Sequence, residues 1–144
     1  MKKALIAIVL LGLIAAGVGF YMFNKEHDET ADMKAAFSMT TTAVIDEFVE
    51  DEAAATTKFN DQIIEVSGPL MELMKENGMV VGLKLGEDDL SVVNCSMQNP
   101  IDPAELNIAE GQSVKIKGVC SGFNSSDMLP GGDVELKRCT LVTE

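Results

Sequence analysis

Apolar and polar positions divide this chain into three stretches. From Ala4 to Phe23 the sequence reads ALIAIVLLGLIAAGVGFYMF, with no charged side chain. Twenty helical residues rise about 30 Å, the thickness of a bilayer's hydrocarbon core. Backbone groups in lipid must pair within their own segment, so the run is expected to be a helix. Residues 24–40 are polar and charged with scattered Ala and Met, and read as a linker. From Thr42 to Phe59 the apolar residues Val44, Ile45, Phe48, Val49, Ala55 and Phe59 recur at helical spacing, while Glu47, Glu50, Asp51 and Glu52 mostly take the other side. Thr40, Thr41 and Thr42 each offer a hydroxyl to an orphan N–H at the start of this amphipathic helix.

After Asn60 the pattern changes to short β-rich runs, with Val114, Ile116, Gly118 and Cys120 alternating against Lys115 and Lys117 in one of them. Strands are expected at Ile63–Gly68, Met79–Leu85, Leu90–Met97, Ser113–Cys120 and Val134–Val142. Asn77-Gly78 is a hairpin signal, Gly86-Glu87-Asp88-Asp89 a second turn, and Pro130-Gly131-Gly132 a third. Pro103 suits the first turn of a short helix within Pro100–Ile108. Five strands with a short helix between the third and fourth match the order of an OB barrel, with an SH3-like barrel as the competing arrangement. The Thr42–Phe59 helix would then cover an open end.

The flanks of the apolar run orient it. Lys2 and Lys3 are expected on the cytoplasmic side, because cytoplasmic flanks favour Lys and Arg. The rest of the chain then lies outside the cytoplasm, on the periplasmic side of a single-pass anchor. Phe20, Tyr21 and Phe23 fall at headgroup level. The alternative is a cleaved signal peptide with Gly17-Val18-Gly19 as a poor cleavage site. Both readings export the domain. The expected organisation is an anchor at 1–23, a juxtamembrane linker at 24–40 and an OB-fold domain at 41–144.

Charge narrows the partners. The chain of 144 residues has a net charge of −12; beyond Phe23 the eleven basic residues lose Lys2 and Lys3, leaving nine against 23 acids, or −14. An acidic domain repels polyphosphate. There is no Trp, the one Tyr lies in the apolar run, and the one His is His27 in the linker. Few rings remain for stacking on bases or sugars. Catalysis by Ser/His/Asp or Cys/His needs a positioned imidazole, which the domain lacks. An enzyme is therefore not expected, nor a metal site or cofactor.

Several segments together resemble the bacterial membrane-anchored OB-fold family named tRNA-anti-like. They are Asp51-Glu52-Ala53-Ala54-Ala55 with Lys58-Phe59, Ile64-Glu65-Val66-Ser67-Gly68, Val93-Asn94-Cys95, Gly111 through Gly122, and Leu136 through Val142. The resemblance covers nearly everything after the anchor and implies an OB fold. It brings no assigned activity and no catalytic residues. The family name suggests nucleic-acid binding, which charge and location oppose. The expected function is a membrane-anchored, extracytoplasmic binding module for an envelope protein, peptide or small ligand.

Candidate residues follow from strand order. In an OB barrel the fifth strand lies between the third and fourth, so Cys139 could approach Cys95 or Cys120. A Cys120–Cys139 bridge is expected, with Cys95–Cys139 as the alternative pairing and three reduced core thiols as the plain reading. A bridge contributes about 2–4 kcal/mol to a small exported domain. Lys115, Lys117, Lys137 and Arg138 fall on adjacent strands and, with Phe123 in the following loop, form a candidate ligand surface. The plain reading is a set of outward charges that keep the barrel soluble. Met71 and Met74 are expected in the core.

Overall fold

A computed structural model describes residue 30, residues 32–125 and residues 131–142. The expected anchor at 1–23 and residues 24–29 and 31 of the linker lie outside the described residues. Among the described residues no helix is long and apolar enough to cross a membrane.

The elements are β1 (Phe37–Thr40), α1 (Thr41–Glu50), α2 (Glu52–Phe59), β2 (Ile63–Glu76), β3 (Met79–Asp88), β4 (Ser91–Ile101), β5 (Ser113–Ser125) and β6 (Gly132–Leu141). Thr40 caps α1, its hydroxyl accepting the Ala43 N–H at 3.2 Å. The helix expected from Thr42 to Phe59 is two helices. Asp51 breaks it by taking an extended conformation (φ −151°, ψ 91°). Its carboxylate then accepts the Ala54 N–H at 3.0 Å and starts α2. An Asp offers the backbone this local alternative to continued helix.

The five long strands close into a barrel in the order β2–β3–β4–β6–β5, with β5 returning to β2. Within the barrel, β2 divides its length between two neighbours. Ile63 to Pro69 pairs with β5, and Leu70 to Glu76 pairs with β3. Pro69 has no N–H to give the ladder and stands where β2 changes partner. The β2–β3 hairpin turns on Asn77 (φ 51°) and Gly78 (φ 83°), both left-handed, as a tight hairpin of this type requires. The interior is filled by alternate residues, among them Ile64, Val66, Leu83, Leu85, Val93, Ile116 and Leu136, all fully buried.

The two barrel ends are closed differently. Val44, Ile45 and Phe48 of α1 join the core at one end, where Phe48 stacks on Phe123 at 5.1 Å and leans on Phe59 at 5.7 Å. At the other end the short helix expected within Pro100–Ile108 does not form. β4 runs on to Ile101, and a single turn follows in which Asp102 accepts the Ala104 and Glu105 N–H groups, both at 2.9 Å. Leu106 alone in this turn is buried, too little apolar surface to hold a longer helix in place.

The fold begins before Thr41. Phe37 to Thr40, assigned to the linker from sequence, pairs in parallel with Ile64 to Ser67 of β2. Upstream, the Thr30 N–H donates to Gln98 of β4, Met33 O accepts from Lys117 Nζ of β5, and the Ala36 N–H donates to Ile63 O at the start of β2. The chain therefore crosses the outside of the barrel from β4 to β2 before the first strand starts.

Candidate functional site

Outward-facing residues of β2, β3, β4 and β6 line up across the barrel because neighbouring strands hold them in register. Glu72 lies opposite Lys84, Lys84 opposite Asn94, and Asn94 opposite Glu135. Lys84 Nζ is 3.5 Å from Glu72 Oε2. Asn94 Nδ2 donates to Glu135 Oε1 at 3.0 Å and to Asp133 Oδ2 at 3.3 Å. No described cation pairs with Asp133 or Glu135. A neutral amide thus bridges two uncompensated carboxylates in the middle of the sheet. Glu87 and Asp88, at the end of β3, add to the negative field.

The neighbouring row is apolar and flexible. Met74 lies opposite Gly82, and Gly82 opposite Ser96. A Cβ at Gly82 would meet Met74 Cε at 2.5 Å, and one at Gly86 would meet Met71 Sδ at 3.0 Å. The two methionines, expected in the core, therefore lie across the outside of β3 on a floor of glycines. Met in such a position supplies an adaptable apolar contact. The second and third strands of the barrel, here β3 and β4, are the surface over which OB folds take ligands.

The cations expected to form a ligand surface lie elsewhere, on β5 and β6. Lys115 Nζ is 3.9 Å from Glu65 Oε1, and Lys117 donates to Met33 O at 3.1 Å. Lys137 lies opposite Val119, and Arg138 follows it in a bulge with φ 51°; both are exposed. The four share one side of the barrel, but the segment from Thr30 to Ala36 crosses it. Phe123 does not join them, since its ring packs on Phe48 and the core.

Lys115 also borders a groove of about 630 Å³ beside the turn after β4, lined by Leu106, Ile108, Leu141, Asn107 and Gln112. Among the described residues no group of three or more His, Cys, Asp or Glu side chains is placed to hold a metal ion.

All three cysteines are buried and free. The Cys120–Cys139 bridge expected from strand order is not formed, since both are free thiols. Cys120 lies opposite Leu136, and its thiol is engaged by the Gly122 backbone. The Cys95 thiol donates to the Val93 carbonyl oxygen at 3.8 Å, and Cys139 is the cysteine beside it. The neighbouring Cys139 thiol, followed by burial, holds the Cys95 thiol well above its ordinary pKa; burial raises Cys120 as well.

The tRNA_anti-like family model matches residues 1–130. The chain belongs to the tRNA_anti-like family. Among solved structures, the tRNA_anti-like chain is similar to a lipoprotein of Klebsiella pneumoniae named for nucleic-acid binding, at 14% identity and TM-score 0.51 over 83% of this chain and 100% of that one. It also aligns with a Leishmania major protein named as an aspartyl-tRNA synthetase, at 10% identity and TM-score 0.42 over 90% of this chain and 26% of that one. A comparison with curated proteins finds no match. At these identities the likeness concerns the fold. The barrel is that of an OB fold, reached here with a turn in place of the usual helix after the third barrel strand.

Proposed function

We propose that this tRNA_anti-like chain is a membrane-anchored, extracytoplasmic binding module, and that its ligand is a cationic segment of an envelope protein. The observation that carries the reading is the outer face of β3 and β4. OB folds that hold nucleic acid on this face combine basic groups along the backbone path with aromatic rings under the bases. Here that face is flanked by Asp133 and Glu135 of β6 and by an ion-paired Glu72 of β2, with Met71 and Met74 of β2 lying over β3 in place of rings. Two fixed carboxylates beside a flexible apolar strip suit Lys or Arg side chains, whose stems are apolar and whose heads are charged. The apolar run at 4–23 supplies the anchor and the Lys2-Lys3 flank its orientation.

The test is a titration of the full-length chain in detergent with a labelled lysine-rich peptide and, separately, a labelled single-stranded oligonucleotide. The peptide is expected to bind, with affinity that falls as salt rises, and Asp133→Lys with Glu135→Lys is expected to remove binding. The name of the Klebsiella relative motivates the second arm. Oligonucleotide binding at low salt, weakened by reversing Lys115, Lys117, Lys137 and Arg138, would replace this reading with a nucleic-acid one. Extraction of the full-length chain by alkaline carbonate would contradict the anchor.

A further inference from the structure

We propose that Cys95 and Cys139 close a disulfide inside the barrel, joining β4 to β6 and leaving Cys120 as a thiol. The strand register brings the two together. Cys95 lies opposite Leu136 and Met97 opposite Cys139, so two steps along β4 correspond to three along β6. The extra residue is taken up at Lys137-Arg138, where both side chains point to solvent and Arg138 adopts φ 51°. Without that bulge, alternation would put Leu136 and Cys139 on opposite faces. With it, both are fully buried on the core side, and Cys139 becomes the diagonal neighbour of Cys95.

Two further features favour this pair. Cys139 is near enough to Cys95 to raise its thiol pKa, while the Cys95 thiol itself donates to the Val93 carbonyl oxygen at 3.8 Å. On β5, Gly118 supplies the space: a Cβ there would lie 2.5 Å from Cys139 Sγ. Cys120, by contrast, faces Leu136 across the β5–β6 ladder.

The reaction is thiol–disulfide exchange with a disulfide donor, a small-molecule or protein disulfide of an oxidising compartment. One cysteine thiolate attacks the donor and expels a thiol. The second cysteine then attacks that mixed disulfide and expels the other. The S–S bond forms, the donor's S–S bond is lost, and the donor leaves as two thiols carrying the two electrons and two protons. Both sulfurs are fully buried in the finished barrel, so exchange precedes closure of β6 onto β4. Once closed, the bridge is shielded from reductant.

The experiment reduces and unfolds the full-length chain, refolds it with oxidised glutathione, blocks remaining thiols with N-ethylmaleimide and maps peptides without reduction. In the expected product Cys95 is linked to Cys139 with the loss of two hydrogens, and Cys120 carries one N-ethylmaleimide. Cys120→Ser is expected to give the same link. A Cys120–Cys139 link, or three alkylated cysteines in the refolded chain, would overturn the proposal. Mapping the chain taken from cells addresses export separately: a bridge that forms on refolding but is reduced in cells upholds the pairing and contradicts the location.

Discussion

Replacing Gly118 by Ala tests the packing between β5 and β6 at a single atom. The added methyl would sit 2.5 Å from Cys139 Sγ and 3.3 Å from both Leu136 Cβ and the Lys137 carbonyl oxygen. The latter two contacts are tight but yield to shifts of a few tenths of an ångström. The sulfur is within the distance at which something must move, and it is fully buried. Overpacking of this kind costs about 1–3 kcal/mol. Ala in an allowed strand conformation returns about 0.4–1 kcal/mol by restricting the unfolded chain. The net expectation for Gly118→Ala in the reduced protein is a loss of about 1–2 kcal/mol. Cys139→Ala removes the obstructing sulfur. On that background Gly118→Ala should be neutral or slightly stabilising, a coupling of about 1–3 kcal/mol between the sites. The assay is urea unfolding in a reducing buffer followed by far-UV circular dichroism, because the chain has no Trp and its one Tyr lies in the apolar run. An equal loss on both backgrounds would refute the argument, since the sulfur would then not be what the methyl meets.

Other substitutions probe separate parts of the account. Phe48→Ala removes the ring that fills the α1 end of the barrel and should cost about 3–5 kcal/mol in the same assay; a loss under about 1 kcal/mol would mean that α1 is not a core element. Asp51→Ala withdraws the cap of α2 and should cost about 1 kcal/mol with reduced helical signal. Arg138→Gly should stabilise by about 1 kcal/mol, because Gly takes the left-handed conformation without the Cβ penalty; destabilisation would argue against the bulge. In the reduced protein, the raised pKa values of Cys95 and Cys120 favour their neutral thiols when folded. The unfolded chain then loses these protons first. Stability should hold below the ordinary thiol pKa of about 8.5 and fall above it, by at most about 1.4 kcal/mol per pH unit for each thiol. Cys95→Ala with Cys120→Ala should flatten that decline.

Much of the barrel is legible in the sequence where a pattern has one meaning. Short β-rich runs bounded by turn signals mark the five barrel strands, with period-two alternation in Ser113–Cys120; Asn77-Gly78 marks the hairpin, and the threonines mark the start of α1. Features that arise from neighbours leave weaker traces. β1 has only four residues and follows charged sequence, so its pairing depends on β2 being there to receive it. The Asp51 break is written as one more acid on a helix's wet face. The Arg138 bulge has no Gly to announce it, yet it sends Cys139 toward Cys95 rather than Cys120. The expected helix after Pro100 overrates Pro103, which suits a first turn but cannot supply the buried face a second turn needs. For the candidate site, the basic residues stand out in an acidic chain, and their adjacency on β5 and β6 follows from strand order. The Glu72–Lys84–Asn94–Glu135 row does not stand out, since each of its members is ordinary alone and only register across four strands assembles it.

We propose that this carboxylate row is the contact surface for a cationic partner on the outer side of the membrane. The direct measurement places a photo-crosslinking amino acid at Ser96, beside the row, in the full-length chain in intact cells, with Arg138 on the other side of the barrel as the comparison. A crosslinked protein is expected from Ser96 through a Lys- or Arg-rich segment, absent from Arg138 and lost with Glu135→Lys. Crosslinking that favours Arg138, captures nucleic acid, or persists unchanged with Glu135→Lys would contradict it.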